Sequence, residues 1–133
     1  MNIVFDASAL IAFLRLEPGA AAVRQLLRTN RGDCYAHAIN LCEVYYDFYR
    51  SDGEAVAQRA LQLIASVGIT TREDMDNAFW QDAGRLKAAH RISLADAFCL
   101  ALARRISGEV VTTDHHEFDP LVPLGICPIR FIR

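Results

Sequence analysis

Short apolar runs alternate with longer stretches of helical periodicity along the whole chain. Residues 2–6 (Asn-Ile-Val-Phe-Asp) are an apolar run closed by a carboxylate, the pattern of a strand buried on both faces of a parallel sheet. A helix is predicted from Ala7 to Leu16, stopped by Pro18-Gly19, and a second over 20–29, ending at Asn30-Arg31-Gly32. Cys34-Tyr35-Ala36 reads as a second strand. The third helix runs from Ala38 to Tyr49, with Leu41, Cys42, Tyr45, Phe48 and Tyr49 on one side and Asn40, Glu43 and Asp47 on another. By its spacing the aromatic stripe belongs to the core, with an interface as the alternative. Ser51-Asp52-Gly53 breaks this helix. A fourth covers 54–66, with Val56, Ala60, Leu63 and Ile64 inward. Ile69-Thr70-Thr71 is a third strand, and a long helix over 73–89 carries Phe79, Trp80, Ala83 and Leu86. Ser93-Leu94-Ala95-Asp96 opens a helix to Arg105, with Gly108 as its stop. Glu109 to Thr113 is a strand closed by Asp114, and Ile129 to Ile132 is an edge strand. This alternation predicts an α/β fold with a parallel sheet covered on both faces. Ligands in such sheets sit beyond the carboxyl ends of the strands, where Asp6 and Asp114 stand.

Length and composition narrow the class. With 133 residues, 53% of them hydrophobic, the chain fits one domain, 1–133, with a core of its own. No run of about 18 apolar residues is present, so no membrane span is expected. The opening Met-Asn-Ile-Val-Phe-Asp lacks the basic start of a secretion signal, so a cytoplasmic location is expected. Cys34, Cys42, Cys99 and Cys127 form no CxxC pair. They read as reduced, mostly buried thiols, with a Cys34–His37 zinc site as the weaker alternative. The formal net charge of −2 argues against indiscriminate coating of nucleic acid. Of the 14 basic residues only Lys87 is lysine, and arginine's planar fork suits phosphate.

Four acids stand at the starts of separate elements or within them. Asp6 directly follows an apolar strand, where a carboxylate needs hydrogen bonds, a cation or a proton. It also reads as the cap of the next helix, helped by Ser8. Ser93-x-x-Asp96 resembles a capping box, in which Asp96 returns a bond to the backbone. Glu43 belongs to a solvated helix face on the plain reading, and Asp114 to a polar loop, His115-His116-Glu117-Phe118-Asp119. If Asp6, Glu43, Asp96 and Asp114 converge, their mutual repulsion is relieved by a divalent cation, and all-oxygen ligands select Mg²⁺ or Mn²⁺. Such an ion neutralises a phosphate and acidifies water, so acids with arginines point to metal-assisted phosphodiester hydrolysis.

Phe5-Asp6-Ala7-Ser8-Ala9-Leu10, Asn40-Leu41-x-Glu43-Val44, Ser93-Leu94-Ala95-Asp96-Ala97 and Val111-Thr112-Thr113-Asp114 occur in the order and spacing of the PIN domain. The whole chain resembles the VapC-type ribonuclease toxins of bacterial toxin–antitoxin pairs. That resemblance implies a three-layer α/β/α sandwich with a central, mostly parallel sheet. It implies an Mg²⁺- or Mn²⁺-dependent endoribonuclease acting on structured RNA, such as transfer or ribosomal RNA. Asp6, Glu43, Asp96 and Asp114 match the family's acidic quartet. Asp6 and Asp96 would be the direct metal ligands, and Glu43 and Asp114 would act through water or a second ion. Ser8 and Thr112 match hydroxyl positions that orient the acids, and Asn40 matches a polar neighbour of the glutamate. A homodimer and a small antitoxin partner are also implied. The segment after Asp114 departs from many relatives in carrying more acid and less base. An aspartate-nucleophile phosphatase would want a second aspartate where Ser8 stands, and a phosphate receiver a late lysine. A non-catalytic RNA-binding module of the same fold is the remaining alternative, and the complete quartet speaks against it.

Overall fold

The computed structural model describes residues 1–133. Five strands, β1 (Ile3–Phe5), β2 (Cys34–His37), β3 (Thr70–Arg72), β4 (Glu109–Thr112) and β5 (Ile129–Phe131), form one sheet in the order β3-β2-β1-β4-β5. Every neighbouring pair is parallel, and Val4 is in register with Tyr35 on one side and Val110 on the other. The helices are α1 (Ala7–Leu14), α2 (Ala20–Thr29), α3 (Ala38–Asp52), α4 (Glu54–Ser66), α5 (Asn77–Ala89), α6 (Leu94–Arg105) and the single turn α7 (His115–Phe118). A 3₁₀ turn follows over Asp119–Leu124.

The period of two in the strands sorts the core into two layers. Ile3, Phe5 and Val111 face a cluster that takes Leu10 of α1, Val23 of α2, Val44 of α3 and Ile64 of α4. Val4 and Val110 face the other way, onto Phe79 of α5, Leu100 and Leu102 of α6, and Phe118. The expected α/β/α sandwich is therefore present. Every residue of α6 from Ala95 to Ala103 is buried, which its nearly unbroken apolar sequence requires. Chain order runs outward from β1 through β2 to β3, then returns to the far side of β1 with β4. The switch point, where connections leave in opposite directions and open a crevice, thus lies between β1 and β4.

Several boundaries and faces differ from the sequence expectation. The first helix ends at Leu14, because Leu16 takes a left-handed backbone with φ of 55°. The third continues past Tyr49 to Asp52, its last turn tied down by Arg15 pairing with Asp47 and Asp52. The fifth begins at Asn77 rather than residue 73: Arg72 and Arg105 hold Asp74 in an extended segment, and Asp76 caps the helix through the Phe79 N–H. Leu63, placed inward by periodicity, is 48% exposed, and Trp80 of the long helix is 45% exposed. Of the aromatic stripe, Phe48 is core and Tyr49 lies outside. All four cysteines are free; Cys34 and Cys99 are buried as expected, whereas Cys42 is exposed. His37 is no zinc partner for Cys34, since its two ring nitrogens meet the Ile39 N–H and the Asp74 carbonyl.

Candidate active site

The carboxyl ends of β1 and β4 open onto a cleft of about 290 Å³ whose wall includes Asp6, Glu43, Asp96 and Asp114. Four elements deliver these acids. Asp6 follows β1 and caps α1, Glu43 projects from the second turn of α3, Asp96 from the first turn of α6, and Asp114 follows β4 and caps α7. Ser8, Tyr46, Asp47, Ser93 and Glu117 complete the polar lining.

Asp6 is 1% exposed and fixed from three directions. Its Oδ1 accepts from Ser8 Oγ at 2.8 Å and the Ala9 N–H at 2.9 Å, and its Oδ2 accepts from Thr112 Oγ1. Both hydroxyl protons therefore go to Asp6. The 3.2 Å approach between the hydroxyls of Ser8 and Thr112 adds no further bond. The same two oxygens receive backbone donors in turn: Thr113 N–H to Ser8 at 3.0 Å and Asp114 N–H to Thr112 at 2.9 Å. This relay locks the chain leaving β4 to the chain leaving β1. Burial pushes the Asp6 carboxyl up to about 6, against the hydrogen bonds that favour its charged form.

Capping and site formation coexist at α6, with a change of partners. Ser93 Oγ accepts from the Asp96 N–H at 3.1 Å, as a capping box requires. The return bond is not made by Asp96: the Ser93 N–H donates to Glu117 Oε2 at 2.9 Å. Asp96 is thereby left free to face the cleft. Burial raises its carboxyl, and a proton shared with Glu117 and the nearby Asp6 raise it further. The same shared proton holds Glu117 low. One oxygen each from Asp96, Asp114 and Glu117 lies within 4.8 Å of the others. Glu117 is thus a further acid of the site, one whose sequence context reads only as a polar loop. Its signal is its place three residues after Asp114: it closes one turn of helix, with its own N–H donating to Asp114 Oδ1 at 3.0 Å.

Glu43 is half-buried on the α3 side, where Tyr46 donates to its Oε2 at 3.3 Å, and burial raises its carboxyl. Asn40 lies behind the wall rather than beside Glu43. It is fully buried, and its Nδ2 donates to the Ala95 carbonyl at 3.2 Å, pinning α3 to the start of α6; its Oδ1 has no partner.

The donor set suits a hard divalent cation. It is all oxygen, it is crowded enough to retain protons above the ordinary carboxylate range, and it leaves ligand sites open. An ionised carboxylate has about four lone-pair sites; Asp6 uses three, which leaves one on Oδ2.

A parallel sheet with a carboxylate cluster over its switch point defines the class of α/β protein to which the chain belongs. Within it, the PIN domain model matches residues 3–120, and the chain belongs to the PIN domain family. No curated protein matches it by sequence. Among solved structures it resembles VapBC2 of Rickettsia felis, bound to a promoter DNA fragment, at 16% identity and TM-score 0.75 over 98% of each chain. It also resembles DNA-bound VapBC of Salmonella typhimurium, at 14% identity and TM-score 0.75 over 100% of this chain and 99% of that one. Mycobacterium tuberculosis VapC20, described as a toxin cleaving the Sarcin-Ricin loop, matches at 15% identity and TM-score 0.71 over 90% of this chain and 95% of that one. These likenesses establish a VapC-like fold.

Proposed function

We propose that the chain is a single-domain, divalent-metal-dependent endoribonuclease, the toxin of a toxin–antitoxin pair, acting in the cytoplasm as a homodimer held in check by a small antitoxin. The observation that carries this reading is the gathering of Asp6, Glu43, Asp96, Asp114 and Glu117 from separate elements into one cleft at the switch point. Support for the partner comes from the similar structures, which include toxin–antitoxin complexes. No helix is long and apolar enough to cross a membrane.

Asp6 and Asp96 would hold the ion, with Glu43 and Asp114 acting through water or at a second ion and Glu117 beside them. Mg²⁺ or Mn²⁺ bound there would supply positive charge to the scissile phosphate and acidify water. The remaining work belongs to the chain. Ser8 and Thr112 keep Asp6 in one rotamer, so its open lone pair has a fixed direction. Asn40 and Ser93 fix the start of α6 and with it Asp96. Glu43, half-buried beside the cleft and steadied by the Tyr46 hydroxyl, would take a proton from attacking water. Without a cation the clustered acids repel a phosphodiester, so hydrolysis and metal are tied together.

The test is incubation of purified protein with total RNA and Mn²⁺, then with excess chelator. Chelator-sensitive cleavage that disappears in Asp6→Ala and in Asp96→Ala is the expected result. Cleavage that survives both changes removes the proposal, and RNA retention without cutting gives the fold to a binding module instead.

A further inference from the structure

A second groove of about 420 Å³ adjoins the acidic cleft and shares Glu117 with it. It runs between the turn after α5 and the 3₁₀ segment that follows α7. Its polar wall carries His90, Arg91 and His116, and its apolar wall carries Leu121 and Leu124. Its size falls within the roughly 300–1,000 Å³ of small-ligand sites. Charge changes sign across Glu117. On one side lie carboxylates; on the other lies Arg91, with Lys87 one turn before it donating to the Ile92 carbonyl at 2.8 Å.

Arg91 stands apart from the other arginines near the cleft. Arg15 is committed to Asp47 and Asp52, and Arg50 lies over the Tyr46 ring at 4.9 Å. Arg91 joins no ion pair and no side-chain hydrogen bond, and its side chain is exposed. A polyanion drawn into a cleft lined by six acids needs a cation for the phosphates that flank the one being cut. A metal ion among the acids would serve the scissile phosphate. An arginine fork beside apolar and imidazole surface offers what a nucleotide presents, a phosphate and a flat base.

We propose that this groove is the RNA-strand subsite next to the scissile bond: Arg91 holds a flanking phosphate, and the base lies against Leu124 and the imidazoles of His90 and His116. The occupant's identity as RNA rests on the nuclease reading; the groove, its charge and its junction with the cleft do not.

Two measurements test it separately. First, a labelled single-stranded RNA oligonucleotide is titrated by fluorescence anisotropy in Mn²⁺ against chains carrying Asp6→Asn to prevent cutting. Adding Arg91→Ala is expected to weaken binding about five- to tenfold and to flatten the dependence of log K on log salt by about 0.7, the value of one single-strand phosphate contact. Leu124→Asp, which sets a carboxylate on the apolar wall, is expected to weaken binding as well. Arg24→Ala is the control, since Arg24 lines a groove with Arg28 and Arg31 at the opposite end of the strands; it is expected to change neither quantity. Second, in the otherwise unmodified chain, Arg91→Ala is expected to raise KM by a similar factor with kcat within about twofold. Equal effects of Arg91→Ala and Arg24→Ala overturn the subsite, as does an unchanged KM in a chain that cuts RNA. Unchanged RNA affinity with weakened retention of a protein partner assigns the groove to that partner and equally overturns it. If the unmodified chain cuts no RNA while Arg91-dependent binding persists, the nuclease reading falls and the groove stands as an RNA-strand site beside the acidic cleft.

Discussion

Asp6 reaches the cleft with three of its lone-pair sites already used, and Thr112 supplies the only donor to Oδ2. Thr112→Val keeps the shape and removes that donor along with the acceptor of the Asp114 N–H. A buried acceptor and a buried donor then lose their partners, at about 1–3 kcal/mol each. The Asp6 carboxyl, already pushed up to about 6 by burial, loses a bond that favours its charged form and rises further. At sub-saturating Mn²⁺ the acid limb of the pH–rate profile should move to higher pH, with at least a tenfold loss of cleavage at neutral pH, and Thr112→Ser should restore both. An unmoved acid limb would separate Asp6 from the chemistry. Asp96 poses the converse case. The return bond of the α6 cap belongs to Glu117, so Asp96 does not cap its helix; its raised carboxyl shares a proton with Glu117, and an asparagine amide can donate in that proton's place. Asp96→Asn should abolish cleavage while leaving the metal-free melting temperature equal or higher. A drop of several degrees would give Asp96 a structural role instead.

His37 shows how one side chain fixes three elements. It caps α3 by accepting the Ile39 N–H at Nδ1, so its proton sits on Nε2, 2.9 Å from the Asp74 carbonyl ahead of α5. Its ring lies parallel to Phe79 of α5 and Phe98 of α6, each at 5.2 Å. His37→Asn retains a capping acceptor and loses the stack; His37→Ala loses both. The alanine variant should lose about 3 kcal/mol or more, as large buried truncations do, and the asparagine variant about 1 kcal/mol less than that. Urea midpoints decide the order, and equal losses would mean that the cap contributes nothing. None of this is legible in Cys34-Tyr35-Ala36-His37 alone, because both stacking partners lie more than 40 residues away. The strands and helices themselves were legible, since burial imposes a period of two on one and 3.6 on the other. Asp6, Asp96 and Asp114 stood out because apolar strands or helix starts placed them. Glu117 did not, because its contribution depends on a single helical turn after Asp114 that a four-residue segment cannot announce by periodicity. The start of α5 was misplaced for a similar reason, as the ion pairs of Arg72 and Arg105 with Asp74 override local helix preference.

Over the whole molecule the buried acids set a pH dependence opposite to that of the surface ion pairs. Asp6 titrates near 6 in the folded chain against an ordinary 3.8, so between those values the folded form keeps a proton that the unfolded form has lost. Its contribution therefore falls as pH rises through that window and is flat above it. Asp96, raised by burial, extends the fall to higher pH, and the raised imidazole of His115, hydrogen-bonded to the Arg133 carbonyl and Asp119, leans the same way. Asp74 and Asp76, held down to about 2 by arginine, contribute fully above about pH 4 and lose that contribution only in stronger acid. Metal-free protein should thus melt at a higher temperature at pH 5 than at pH 7.5. A divalent cation binds the ionised carboxylates alone, so its stabilisation, RT ln(1 + [M]/Kd), grows as protons leave. Millimolar Mn²⁺ should raise the melting temperature more at pH 7.5 than at pH 5 and narrow or reverse the metal-free difference. Asp6→Asn with Asp96→Asn should flatten the metal-free slope to what Glu43 and His115 leave and remove the Mn²⁺ response. An Mn²⁺ response that persists in the double variant would place the ion elsewhere, and with it the chemistry assigned to the cleft.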